Sequence, residues 1–209
     1  MSDISDNIKI FIAILVLVNP LEGISIFLSK TTGIEKDVKA RIVRKTTLSV
    51  FVVMIVSLFF GKFVLTLFGI GIPSFTIAGG IIIFLIAIDM VLGKSDSGEK
   101  SLPNDPNKNP EDIAVVPLAI PMLAGPGAIS SIILYGSNSQ GIMNDIILVV
   151  ILFLVAAAVW LSLNAASKME KKLGNTGVKI LTKISGLLVA AIALEMVYQG
   201  LIQLFPKLQ

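Results

Sequence analysis

The stretch Val18-Asn19-Pro20-Leu21-Glu22-Gly23 interrupts one apolar run, and Ala124-Gly125-Pro126-Gly127 interrupts another at the equivalent place in a repeat. A shift of 106 positions carries Pro20 onto Pro126 and Gly80 onto Gly186. The same shift carries Ala87-Ile88-Asp89-Met90-Val91 onto Ala193-Leu194-Glu195-Met196-Val197. The chain thus holds two copies of one unit, each opening with a broken apolar segment and closing with an acid inside an apolar run. The middle segments do not keep the offset, because the loops beside them differ in length. Repeated halves that both contain an interrupted membrane helix point to a substrate site between them.

Composition places the chain in lipid. Of its 209 residues 55% are hydrophobic and 15% charged, against about 25% charged in an ordinary soluble domain. The chain has no cysteine and no histidine. Disulfides, thiolate metal sites and the commonest general base are therefore excluded, and no cofactor or metal is expected. The net charge of +3 lies in loops between apolar segments, so it makes no nucleic-acid-binding face. The acidic N-terminus, with no small-residue cleavage site after the first apolar run, predicts that this run stays in the membrane.

A membrane span takes about 20 mostly apolar residues. Six segments meet that length: 8–27, 46–68, 72–92, 113–134, 146–163 and 184–205. The expected fold is all-α and polytopic, six transmembrane helices with the first and fourth broken. The second half begins after an odd number of spans and so enters from the opposite side, which makes the two three-helix repeats inverted. Residues 1–92 form the first repeat and 113–209 the second. Residues 93–112, rich in proline, asparagine and charge, read as a flexible cytoplasmic linker. Of the 17 basic residues, all but Lys9, Lys62 and Lys207 fall in the loops on one side. The positive-inside rule makes that side cytoplasmic and puts both termini outside.

Pro20 and Pro126 lack an amide donor and clash with the carbonyl one turn back. Gly23, Gly125 and Gly127 ease local unwinding. Broken backbone survives in a membrane only inside protein or beside a water-filled cavity. The half-helices starting at Leu21 and Gly127 would present free amides at positive dipole ends, which suit a carboxylate. Unwound carbonyls and the Asn19 side chain would accept from an ammonium. Asn19, Pro20, Gly23, Gly125, Pro126, Gly127 and Ala128 are therefore the expected substrate-binding residues for a small zwitterion. Ser25, Ser130 and Ser131 follow the breaks. Each either bonds substrate or returns its hydroxyl to a carbonyl one turn back. Pro117 and Pro121 are read as bending the cytoplasmic half of the fourth helix.

Acids at membrane depth usually face a cavity or a partner, and burial favours their protonated form. Glu195, near mid-span, is the first candidate for proton coupling and Asp89 the second. Asp89 also lies close enough to the cytoplasmic end to snorkel. Glu22 would meet a substrate ammonium or cap the second half-helix. Lys62 reads as snorkelling outward. Trp160 and Tyr135 read as interface anchors.

Asn19-Pro20-Leu21, Phe68-Gly69-Ile70 with Ile72-Pro73, Ile77-Ala78-Gly79-Gly80, and Val116-Pro117-Leu118-Ala119-Ile120-Pro121 before Ala124-Gly125-Pro126-Gly127 together resemble the MarC/SnatA family. The likeness runs over nearly the whole chain, and the proline-rich fourth-helix motif is its most specific part. It implies a six-span protein of a prokaryotic inner membrane. Its characterised branch is similar to proton-driven carriers of glycine and alanine.

The leading expectation is thus a proton-coupled secondary transporter (a symporter) of small neutral amino acids, working by alternating access. Its partners would be substrate, protons, the bilayer and, as an open option, further copies of itself; no nucleic acid is expected. A channel or an exporter of other small solutes is the alternative. An intramembrane aspartyl enzyme would need Asp89 and Glu195 as a close pair, and neither sits in a glycine-flanked aspartate motif, so no enzyme is expected.

Overall fold

The computed structural model describes residues 4–31, 33–92, 110–139 and 141–205. Every regular element among them is helical. The first apolar run is split into α1 (Ile4–Val18) and α2 (Pro20–Lys30), with Asn19 between them. At 1.5 Å per residue these reach roughly 22 and 16 Å, short of a hydrocarbon core of about 30 Å. Helix α3 (Lys36–Leu67) and α4 (Ile72–Leu92) follow. α3 starts ten residues before the apolar segment 46–68. Its first turns are rich in helix-forming Lys, Ala and Arg, and they bury Ile42 and Val43.

The linker expected at 93–112 lies outside the described residues except for its last three positions. Those belong to a short 3-10 stretch, Pro110–Ala114, which runs into a wide-turned segment, Val115–Leu123. Regular helix resumes with α5 (Pro126–Asn138) and continues, after a turn, as α6 (Ile142–Leu204). Among the described residues four stretches are long and apolar enough to cross a membrane: Lys36–Leu67, Ile72–Leu92, Ile142–Ala166 and Lys183–Leu204. The first and fourth segments of the sequence reading are instead assembled from short pieces.

The fifth and sixth segments fall within the stretches Ile142–Ala166 and Lys183–Leu204, but helical hydrogen bonding continues through the loop expected between them. The cause is local. Residues 164–173 hold Ala, Lys, Met, Glu and Leu and no proline, a composition that favours helix, whereas Gly174-Asn175-Thr176-Gly177 beyond them is the weakest helix-forming run of the loop. The 63 residues are nevertheless not one rod, which would separate Phe153 from Met196 by roughly 65 Å. Phe153 meets Phe51 of α3 edge to face at 6.2 Å, and the Ser131 hydroxyl of α5 lies 3.4 Å from the Met196 sulfur. α3 and α5 touch each other where Gly61 meets Ile133. The chain therefore reverses between two arms of α6, Ile142–Ala166 and Lys183–Leu204.

Two apolar clusters hold these pieces together. The larger joins α1, α2, α3, the Val115–Leu123 segment, α5 and the first arm of α6. The smaller lies between α4 and the second arm, around Ile83, Ala87, Val189, Ala193 and Met196. α4 and the second arm pack antiparallel with glycine at both crossings. A Cβ on Gly80 would meet the Ala193 carbonyl and Val197, and one on Gly186 would meet the Ala87 carbonyl and Val91. Each of these contacts is the other displaced by 106 positions.

Candidate functional site

At the first break Asn19 adopts φ 46°, ψ 68°, the only left-handed non-glycine conformation among the described residues. Proline at the next position disfavours ordinary helix for Asn19, and asparagine tolerates the left-handed region better than most residues. Asn19 is 6% exposed, and its amide donates to the Met90 sulfur of α4 at 3.7 Å. A buried residue held in a rare conformation is a feature that clusters at functional sites.

The second break is broader. Val116 and Ile120 are extended inside the wide-turned segment, and each directly precedes a proline, which drives it out of helical space. The Ala124 amide reaches back five residues to the Ala119 carbonyl (2.8 Å). Gly125 is extended (φ −81°, ψ 176°) before Pro126 starts α5. Ile129 makes the first bond of α5, to the Gly125 carbonyl (3.0 Å). The amides of Gly127 and Ala128 precede it and have no partner within the helix.

The two breaks meet at one small cavity of about 40 Å³, lined by Asn19, Gly125, Gly127 and Ala128. Leu17, Met122, Val189 and, from α4, Ile83, Ile86 and Met90 complete its wall. At about 10–15 Å³ per water-sized sphere, it has room for only a few heavy atoms. Its polar groups are the Asn19 side chain and backbone amides and carbonyls. Among the described residues no ionisable side chain lines it.

The expected site residues therefore divide. Asn19, Gly125, Gly127 and Ala128 come together. Pro20 and Pro126 set the helix starts without lining the space, and Pro126 is exposed. Gly23 is a packing glycine, since a Cβ there would lie 2.8 Å from a Leu123 methyl. Ser130 is buried against Gly79, and Ser131 donates to Met196. The side chains of Glu22, Ser25, Pro117 and Pro121 lie outside the described residues. Asp89 and Glu195 are both on the exterior, where Glu195 accepts from Gln199 at 2.9 Å.

Sequence reasoning passed over the methionines. On α4 the inward face runs Ile83, Ala87, Met90, and Asp89 lies one residue, about 100° of helix, off it. Met90 is 2% exposed and Met196 6%. Each takes a hydrogen bond from a polar residue at the break of its own repeat, Asn19 and Ser131. The signal was in the repeat itself: the acid that drew attention is followed in both copies by methionine.

A charge cluster stands upstream of the second break. Glu111 pairs with Lys45 and with Arg41 (2.6 Å) of α3. Bonds from Lys45 and then Arg41 hold its carboxyl below the ordinary value of 4.5. One turn of α3 further on, the buried Thr46 hydroxyl donates to the Ala114 carbonyl at 3.1 Å.

These features define an all-helical integral membrane protein with two proline-broken segments closing on a small internal cavity. The chain belongs to the MarC family of integral membrane proteins, whose profile matches residues 4–205. It is 40% identical to a UPF0056 membrane protein of Buchnera aphidicola subsp. Acyrthosiphon pisum, over 99% of this chain and 96% of that one. It is 37% identical to the UPF0056 membrane protein YhcE of Escherichia coli, over 96% and 94% of the two chains. To YvbG of Bacillus subtilis it is 32% identical over 96% of both. No solved structure matches it.

Proposed function

We propose that the chain is a secondary transporter of small neutral amino acids, glycine and alanine first, rather than an enzyme or a channel. The observation that carries this reading is the cavity of about 40 Å³ into which both breaks open. The Gly127 and Ala128 amides, at the positive end of α5, would receive the substrate carboxylate. The Asn19 side-chain carbonyl would take the ammonium. Leu17, Ile83, Met90 and Val189 leave only apolar surface for what remains, and little of it. With room for only a few heavy atoms, the cavity must open for glycine's five, and further for each side-chain atom beyond them.

In this reading α1 with α2, and the Pro110–Leu123 stretch with α5, each count as one broken span. That makes six spans as two inverted repeats, with both termini outside a prokaryotic inner membrane. The reciprocal crossings at Gly80 and Gly186 support it. They are what a two-fold axis between antiparallel α4 and the second arm of α6 would produce, and such an axis lying in the membrane plane relates inverted repeats. Rocking of one repeat against the other would open the cavity to each side in turn. Asp89 and Glu195 lie off the cavity, so coupling protons through either would run by movement of α4 against the second arm, not by contact with substrate.

The test is uptake of labelled glycine by proteoliposomes, with and without an imposed pH gradient. Saturable uptake driven by an inward proton gradient is expected. No uptake by folded protein in either condition would sink the transport reading, and uptake indifferent to the gradient would remove the protons. Pro126→Ala should lower uptake while leaving protein yield intact, and Pro117→Ala should lower it less.

A further inference from the structure

Away from the breaks, α3 and the first arm of α6 leave a groove between them. α3 contributes Arg44, Thr47 and Phe51, and the arm contributes Phe153, Ala157 and Trp160. Each set falls on one stripe of its helix. The helices run antiparallel here. Phe51 and Phe153 close one end edge to face, at 6.2 Å and 85°, while Arg44 and Trp160 flank the other. The groove encloses about 510 Å³, more than ten times the cavity at the breaks, and it is kept open by the small side chain of Ala157. It spans two turns of α3, about 10 Å.

Three features are graded along that depth. At the mouth, Arg44 is exposed and forms no ion pair among the described residues, whereas its neighbours Arg41 and Lys45 are both committed to Glu111. One turn deeper, the Thr47 hydroxyl is buried with no hydrogen-bond partner among the described residues, a condition that buried polar atoms rarely keep. Deeper still the walls are aromatic and aliphatic. Cation, hydroxyl and oil in that order match a phosphate, an ester oxygen and a hydrocarbon chain. The indole at the mouth is where tryptophan sits in a bilayer.

We propose that this groove is a binding site for an anionic phospholipid. Its phosphate sits on Arg44, the Thr47 side chain turns its hydroxyl toward the groove to donate to a glycerol-ester oxygen, and one acyl chain lies against Ala157 down to the Phe51–Phe153 pair. The site is independent of the transport reading, and a failure of glycine uptake would leave it standing.

Trp160 is the only tryptophan in the chain, so its fluorescence reports the groove directly. Protein is reconstituted in vesicles of brominated phosphatidylcholine, which quench the indole, and unbrominated phosphatidylglycerol is exchanged in by steps. Wild type should recover fluorescence as though it preferred the anionic lipid roughly fivefold, the size expected for one basic group at an anionic headgroup. Arg44→Gln should bring recovery down to the mole fraction added. Ala157→Phe, which fills the groove, should weaken quenching by the brominated lipid. Recovery tracking mole fraction in wild type overturns the proposal, as does a preference that survives Arg44→Gln. Undiminished quenching in Ala157→Phe would mean that Trp160 meets only bulk lipid, and absence of quenching in wild type would mean that protein covers the groove; either overturns it. If Arg44→Gln does not fold, wild type at raised salt replaces it: the preference should shrink, and an unchanged preference refutes recognition by charge.

Discussion

The two breaks occupy equivalent places in the repeat and are built differently. At the first, one residue carries the whole departure. Asn19 is left-handed, yet its amide still reaches Leu15 (3.1 Å) and its carbonyl still takes the Gly23 amide (3.3 Å). At the second, the irregularity runs from Val116 to Gly125. The difference follows from the count of prolines, Pro20 alone against Pro117, Pro121 and Pro126. Each forces the residue before it out of ordinary helix. Concentrating the break in Asn19 stores the strain in one conformation and keeps neighbouring hydrogen bonds. Spreading it lowers the strain at any one residue but leaves more backbone polar groups to be satisfied by surrounding protein.

The sharpest way to break that comparison is at its most strained point. Asn19→Ala should destabilise by about 1–2 kcal/mol, the cost of holding an ordinary residue left-handed. Asn19→Gly should cost less despite losing the same side chain, because glycine is free of that penalty. Gly125→Ala carries no backbone strain, since extended backbone is open to any residue; its effect should appear in substrate binding. Thermal unfolding in detergent reads the first pair. Equal stability of the alanine and glycine variants at position 19 would mean that the conformation stores nothing.

A second contrast separates the glycines beside the breaks. A Cβ on Gly127 would lie 2.5 Å from Ile83 Cγ1, a branch carbon of a side chain only 2% exposed. Overpacking of that kind costs about 1–3 kcal/mol. At Gly23 the nearest atom is the far end of Leu123, which can rotate away, so Gly23→Ala should cost under about 1 kcal/mol. If Gly23→Ala is the worse of the two, the first break is packed more tightly than its contacts indicate.

The same logic applies where α4 and the second arm cross. Gly80→Ala would press on the Ala193 carbonyl at 2.8 Å, whereas Gly186→Ala meets Met90 and Val91 side chains at 3.0 and 3.1 Å and a carbonyl at 3.3 Å. Alanine recovers about 1 kcal/mol of helix propensity at either place. Gly186→Ala should therefore fall near neutral and Gly80→Ala should destabilise. Identical changes in melting temperature would indicate a crossing more symmetric than these distances.

Much of this was legible in sequence because prolines and a repeat are local signals. Pro20 and Pro126 located both helix starts, and Asn19, Gly125, Gly127 and Ala128 are legible beside them as residues of the breaks. Facing was less legible. Asp89 and Glu195 stood out by charge, but the burial of Met90 and Met196 depends on which side of the helix meets the breaks. A one-residue error there turns a side chain by about 100°. The helicity of 164–183 was also missed, because a hydropathy count registers apolar length and is blind to helix built from polar residues. Nor did hydropathy mark the groove at Arg44, whose two walls lie more than one hundred residues apart in the chain.

The smallest expected effect concerns what holds the second break in place. Glu111 and the Ala114 carbonyl fasten its upstream end to α3 through Arg41, Lys45 and Thr46. A carboxyl held below its ordinary value contributes stability at neutral pH, and loses it as pH falls through 4.5 toward the lowered value. The melting temperature of wild type should therefore drop more steeply than that of Glu111→Gln as the medium is acidified below about pH 5. At neutral pH the variant should be the less stable of the two, and the curves should converge in acid. Because the pair is partly in water, raised salt should narrow the neutral-pH gap. Parallel pH profiles would show that Glu111 does not anchor the segment. The spread-out break would then rest on apolar packing and on the Thr46 bond alone, much as the compact break rests on Asn19.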